Sequence, residues 1–278
     1  MQKSLVAVVV LLFVAGSASA GIKYEFRQTT QSDMDGSRPT ECSGRAVIDG
    51  ARSRVEFLSG DLYPPGTFVI TSNGSRTLTF VDPLKKSFAE INAAAVASAL
   101  GATKINISNQ KIEMTPMSDH PVIAGIPTDH YRLAIDYQIT VNFGTLPLTQ
   151  TVHTLIDKWT TMAFGDVGET FLSGGVLNTG NASMDELLSA ENTKIKGFAL
   201  RQTVQLTTVN NHATAGSKLG VSRSVSQIRE MLVTSIESTP QIAASQFMVP
   251  PSFHKADPLI DDTQKAPMQV LSMEPAGH

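Results

Sequence analysis

Between Asp129 and Phe143 the chain alternates without a break. Tyr131, Leu133, Ile135, Tyr137, Ile139, Val141 and Phe143 fall on one parity, and His130, Arg132, Ala134, Asp136, Gln138, Thr140 and Asn142 on the other. A helix would scatter those apolar residues around its axis, whereas a strand lines them along one face. At about 3.4 Å per residue the segment reaches roughly 50 Å, well beyond ordinary strand length. A strand that long has to bend around a core or form the wall of an open barrel. Residues 144–147 read as the turn into a partner strand over residues 148–160.

The rest of the chain fits the same architecture. Ile22, Tyr24 and Phe26 alternate with Lys23, Glu25 and Arg27, the period of a half-buried strand. Residues 36–41 are polar, carry Pro39 and read as a loop. Residues 45–48 and 51–58 flank Asp49-Gly50, a hairpin signal in which both turn positions would take positive φ. Strands follow over residues 67–71, 77–81 and 87–91, separated by Asn73-Gly74 and Asp82-Pro83. Residues 93–100 are alanine-rich and stop at Gly101, which predicts a helix. Residues 104–114 return to alternation. Residues 164–181 are glycine-rich and lack a period. Ser183 and Glu186 have capping-box spacing ahead of Leu187 and Leu188, which predicts a second short helix. Two further strands are expected over residues 198–209 and 224–236, joined by a polar loop at 210–217.

The two ends read differently. Lys3, an apolar run over residues 5–15 and Ala18-Ser19-Ala20 form the pattern of a secretory signal peptide over residues 1–20. The run is shorter than the ~20 residues a spanning helix needs, so no stable transmembrane segment is expected. Gly21, not cysteine, follows the expected cleavage site, and the single-lysine n-region is bacterial in type. The expected localisation is therefore the bacterial periplasm or the exterior. One domain is expected over residues 21–254. After Phe253 the pattern fades into a tail over 255–278 with Pro258, Pro267 and Pro275, read as disordered.

Composition narrows the function classes. Without Lys3 the 22 basic residues become 21 against 25 acidic, a net charge of −4 with no basic run, so nucleic acid is not an expected partner. One cysteine, Cys42, excludes an internal disulfide. It reads as a half-buried small residue near a turn, or else as a reactive thiol. Charged residues are only 17% of the chain, a low share that suits a covered face or a cavity. Asn73, Asn106 and Asn181 head Asn-x-Ser sequons, which matter only in a eukaryotic secretory pathway.

No catalytic residues can be assembled. The chain lacks a nucleophile elbow, a cysteine-protease signature, a phosphate loop and a dinucleotide fingerprint, and no cofactor is implied. Asp119, His120, Asp129, His130 and His153 have zinc-type ligand chemistry but no metal-site spacing, so no metal is expected. Trp159, Tyr24, Tyr131 and Tyr137 could line a ligand cavity or simply fill a sheet core.

Several segments in order carry a family resemblance. Residues 21–25 open the mature chain, residues 47–55 form a strand–turn–strand, and residues 77–83 and 85–88 bracket Asp82-Pro83. Residues 123–131 lead into the long strand, residues 195–201 into another, and residues 247–253 close the domain. Together they resemble exported bacterial domains similar to the outer-membrane lipoprotein carrier superfamily. That resemblance implies a mainly β, α+β fold: a strongly curved antiparallel sheet forming an open half-barrel, covered by a few short helices, with acyl chains held in its hollow. It brings no catalytic motif.

Three functions follow as expectations. The first is an exported carrier for a lipid, lipoprotein acyl chain or other apolar ligand. Its ligand-binding residues would be Tyr131, Leu133, Ile135, Tyr137, Ile139, Val141 and Phe143, and its lids residues 93–100 or 183–190. The second is an envelope structural or protein-interaction domain without a small ligand. The third is an unrecognised hydrolase, which would need His120, His130 and a carboxylate to converge.

Overall fold

The computed structural model describes residues 21–34, 36–61, 63–72, 77–92, 104–143, 146–165, 170, 172, 183, 185–187, 189, 194–210, 224–239 and 241–256. Residues 1–20, the helix expected at 93–100, the Asn73-Gly74 turn, most of 166–181, the loop after Asn210 and the tail beyond 256 lie outside the described residues.

Six strands form a first meander: β1 (Gly21–Ser32), β2 (Thr40–Asp49), β3 (Arg52–Gly60), β4 (Phe68–Ser72), β5 (Thr77–Asp82) and β6 (Ser87–Asn92). Then come β7 (Lys104–Pro116), a miniature hairpin of β8 (Val122–Ile123) and β9 (Ile126–Pro127), and the long strands β10 (Asp129–Phe143), β11 (Leu146–Thr161), β12 (Phe198–Asn210) and β13 (Ser224–Thr239). β14 (His254–Lys255) ends the domain. Twelve strands join in one sheet, in the order β14-β6-β5-β4-β3-β2-β1-β13-β12-β11-β10-β7. The sheet is curved and does not close into a barrel. The expected mainly β, open architecture is what the chain adopts.

Every neighbouring pair along the sheet is antiparallel except β14 with β6. Most pairings are local. Two are long-range: β14 with β6, where His254 meets Ser87, and β1 with β13, where Ile22 meets Ser238 and Ser32 meets Gln227 across most of the chain. The β1–β13 pairing fuses the two meanders. Register shifts interrupt it at Glu25/Phe26, and others fall at Ser43/Gly44, Asp136/Gln138 and Trp159/Thr160. Such bulges bend strands and increase their twist, which suits an unclosed but curved sheet.

Two local expectations need correcting. Thr40 and Glu41, read as loop, begin β2, because Thr30 and Thr29 of the long β1 stand opposite them. In the first hairpin Asp49 pairs with Arg52, so the turn residues are Gly50 and Ala51. Only Gly50, at φ 59°, is left-handed there. That is the demand of a type II′ turn, with glycine first, and not of type I′.

One face of the sheet carries two apolar clusters, with the buried Gln202 and Lys158 paired between Met231 and Tyr131 where the two meet. The first is the main core: Ile22, Tyr24 and Phe26 of β1 pack with Ile48, Val55, Phe57, Leu200 and Val233. A second cluster continues across β10 and β11: Leu133, Ile135 and Ile156 pack with Leu187 and Ile195. Leu187 lies among helical residues Ser183, Asp185, Glu186 and Ser189, where the second short helix was expected. Ser183 is already helical, so its spacing to Glu186 does not mark the cap. On the opposite face, Phe68, Ile70 and Val81 form a third cluster with Phe247, Val249 and Phe253. The closing segment therefore wraps onto β4 and β5, where Arg52 lies over Phe247 and Arg54 over Phe68 at 4.8 and 3.7 Å.

Candidate functional site

The β10 stripe lies on the apolar face as its alternation requires. Leu133, Ile135 and Ile139 are buried, and Tyr131, Tyr137 and Val141 are half-buried. The Phe143 side chain lies outside the described residues. Across the hairpin Leu133 meets Ile156, Tyr137 meets Val152 and Val141 meets Leu148. β7 adds Ile112 opposite Ile135 and Ile105 opposite Val141. On that side a bulge with Asn109 at φ 55° sets two β7 residues against Tyr137.

Cover over this stripe is uneven. Leu133 and Ile135 lie beneath Leu187 and Ile195, while Ile107, Ile112, Tyr131, Tyr137 and Val204 pack at the cluster's margin and stay half-exposed. Burial pushes the Tyr137 phenol up from its ordinary value. Tyr24 sits deeper in the main core, edge-on to Phe198 at 5.3 Å, with its hydroxyl 3.2 Å from Thr170 Oγ1. Its phenol is pushed up by desolvation, which the Thr170 hydrogen bond offsets only in part. Tyr24 is thus core, as is Cys42, which is buried with its thiol pushed up to about 11, chiefly by desolvation and then by Glu41.

The polar face of the same strands carries a connected ion network. His130 Nδ1 lies 2.5 Å from Asp119 Oδ1 and Nε2 lies 3.0 Å from Asp157 Oδ1. Arg132 holds Asp157 with a fork, Nε at 2.9 Å and Nη2 at 3.1 Å. Trp159 stacks on His130 with centroids 4.2 Å apart and donates from Nε1 to Asp119 Oδ2 at 3.2 Å. Arg201 of β12 lies over the Trp159 ring and pairs with Glu230 of β13 at 2.7 Å. The hydrogen bond from His130, then that from Trp159, holds the Asp119 carboxyl below its ordinary range against an opposing desolvation.

Carboxylates only accept, so both His130 contacts are hydrogen bonds at once only when both ring nitrogens carry protons. Both ring nitrogens already face carboxylate oxygens, so neither points into open space toward a metal or a substrate. The other residues with metal-ligand chemistry form separate pairs. His120 meets Asp129 at 3.2 Å, and His153 meets Asp136 at 2.7 Å instead of facing His130. Among the described residues no group of three or more His, Cys, Asp or Glu side chains could hold a metal ion. His120 and His130 do not converge on a shared carboxylate.

Asp157, Arg132 and Arg201 were not singled out from sequence. The signal was available: Phe143 pairs with Leu146 across residues 144–145, and that register sets Arg132 opposite Asp157 and Asp136 opposite His153.

No family model matches the chain, and no curated protein does. Among solved structures it is similar to an uncharacterized conserved protein from Thermus thermophilus, at 9% identity and TM-score 0.34, over 84% of this chain and 90% of that one. It is similar to a LolA superfamily protein from Nitrosomonas europaea, at 6% identity and TM-score 0.31, over 83% and 90%. A DUF1329 family protein from Desulfovibrio piger matches at 6% identity and TM-score 0.23, over 84% and 91%. These are distant likenesses, and function has to be read from this chain's own geometry. Among the described residues no helix is long and apolar enough to cross a membrane.

Proposed function

We propose that this chain is a non-enzymatic exported carrier that binds a lipid, acyl chain or similar apolar ligand against the apolar face of its unclosed sheet. One observation carries the reading. The stripe on β10 and β11 is roofed by Leu187, which lies among helical residues, and by Ile195, with no second sheet over it among the described residues, and its margin stays half-exposed. An acyl chain sliding under that roof gains about 0.8 kcal/mol per CH₂ group removed from water. A twelve-carbon chain therefore brings roughly 9 kcal/mol before the costs of immobilisation, enough for a carrier that also has to release. Export through the amino-terminal signal pattern would bring such a carrier to the periplasm, where lipids and lipoproteins have to cross water.

Titration with a fluorescent twelve-carbon fatty acid tests the reading. Saturable one-to-one binding is expected. Val141→Lys, which puts a charge on the half-exposed part of the stripe without opening the buried core, should weaken it at least ~10-fold. A wild-type protein that shows no saturable uptake contradicts the proposal and leaves an envelope interaction domain as the better account.

A further inference from the structure

The β8–β9 hairpin stands in a position that the apolar face alone does not explain. It belongs to the connection from β7 to β10, and its Ile123 and Ile126 pack against the main core on the apolar face. The same connection carries Asp119, which reaches His130 and Trp159 on the polar face. Residues 117–128 therefore wrap around one end of the sheet and are held from both sides.

The wrap is stiff in itself and lightly attached. At its tip Ala124 and Gly125 have φ of 49° and 79°, both left-handed, as a two-residue type I′ turn requires. Val122 pairs with Pro127 and Ile123 with Ile126. At its base the Thr128 amide and hydroxyl both donate to the Pro121 carbonyl, at 3.1 and 2.7 Å. Among the described residues its polar ties to the sheet are few. Met117 N donates to His130 O at 2.9 Å, and Asp119 accepts from the His130 ring and from Trp159. The His120–Asp129 pair is more than half exposed on both sides and adds little. Apolar attachment comes from two half-buried isoleucines, while Val122 faces solvent.

The geometry points to the β8–β9 hairpin as a lid over the end of the apolar face, with the Asp119–His130–Trp159 contact as its latch. Asp157 and Arg132 hold His130 from behind, so the sheet side of the latch is fixed and the hairpin side is the part that lets go. The lid rests on the carrier reading above. Opening it uncovers the main core at Ile123 and Ile126, a second approach to the apolar face, distinct from the helical roof over Leu133.

Amide hydrogen exchange on the full chain without ligand tests the latch. Stopped-flow uptake of the fluorescent fatty acid tests the gate. Asp119 is more than half exposed, so Asp119→Ala should fold. It is expected to speed exchange over residues 122–127 by at least ~10-fold while β11 and β12 keep their protection. Asp119→Asn, which keeps one acceptor oxygen, should fall between. The association rate of the probe should rise with the exchange rate across the series. Unchanged exchange in Asp119→Ala overturns the latch. Faster exchange with an unchanged association rate overturns the gate while the carrier reading stands. A wild type that binds no probe overturns the carrier reading and the gate together.

Discussion

Gly44 and Phe26 compete for one space on neighbouring strands, and a double-mutant cycle can measure the competition. A Cβ on Gly44 would lie 2.6 and 2.7 Å from Cζ and Cε1 of Phe26 and 2.3 Å from the backbone oxygen of Glu56. The Phe26 ring is buried, edge-on to Phe57 at 6.3 Å, and cannot swing away. Gly44→Ala should destabilise by about 1–3 kcal/mol through overpacking. Phe26→Ala removes the ring and should cost about 3–5 kcal/mol. In the double variant the methyl no longer meets a ring but still meets the Glu56 carbonyl on β3. The Gly44→Ala penalty should therefore shrink by about 1 kcal/mol in the Phe26→Ala background without vanishing. Urea unfolding followed by far-ultraviolet circular dichroism gives all four stabilities. Penalties that add within ~0.5 kcal/mol would show that ring and methyl do not share the space, and the packing of β1 on β2 would be wrong.

Other outcomes follow from single sites. Leu133→Ala, in the fully buried centre of the second cluster, should cost about 2–5 kcal/mol in the same urea assay. Cys42 should resist thiol reagents at pH 8 in the native state and react on unfolding. Because its thiol is raised from 9.0 to about 11 in the fold, stability should decline as pH climbs through that interval. Asp119 titrates in the opposite sense. Its folded value lies below the ordinary 3.8, so its contribution is complete above that pH and is lost as acid takes it through the lower folded value. Emission from Trp159, the chain's one tryptophan, should show an acid-limb step below about pH 4 that Asp119→Asn removes.

The parts of the fold readable in sequence are those where one face is buried and the other is wet. β10 runs over the residues its alternation marks, because apolar and polar side chains divide cleanly between its faces. β12 and β13 were legible to within a few residues at their ends. What could not be read is non-local. Nothing in Gly21–Ser32 announces that β13 is its partner, since that choice is made by burial of Tyr24 and Phe26 against Leu200 and Val233 once the sheet curves. β8 and β9 are two residues each, too short for a period, and the left-handed Ala124 carries no sequence signal of the kind glycine or asparagine would give. β14 is equally short, and the wrap of Phe247 and Phe253 onto β4 and β5 depends on a face whose strands are elsewhere polar. The stripe was placed on the right face, but its division into a roofed part and a half-exposed part came from residues 187 and 195, far along the chain.

The central claim is that the half-roofed apolar face holds a ligand. Native mass spectrometry of the protein, purified gently from the cell envelope without detergent, tests it most directly. The account predicts a population heavier than the apo chain by the mass of a lipid or acyl-bearing molecule, released by organic extraction and reduced in Val141→Lys. A single apo mass across gentle preparations, unchanged on addition of fatty acid or phospholipid, would contradict it.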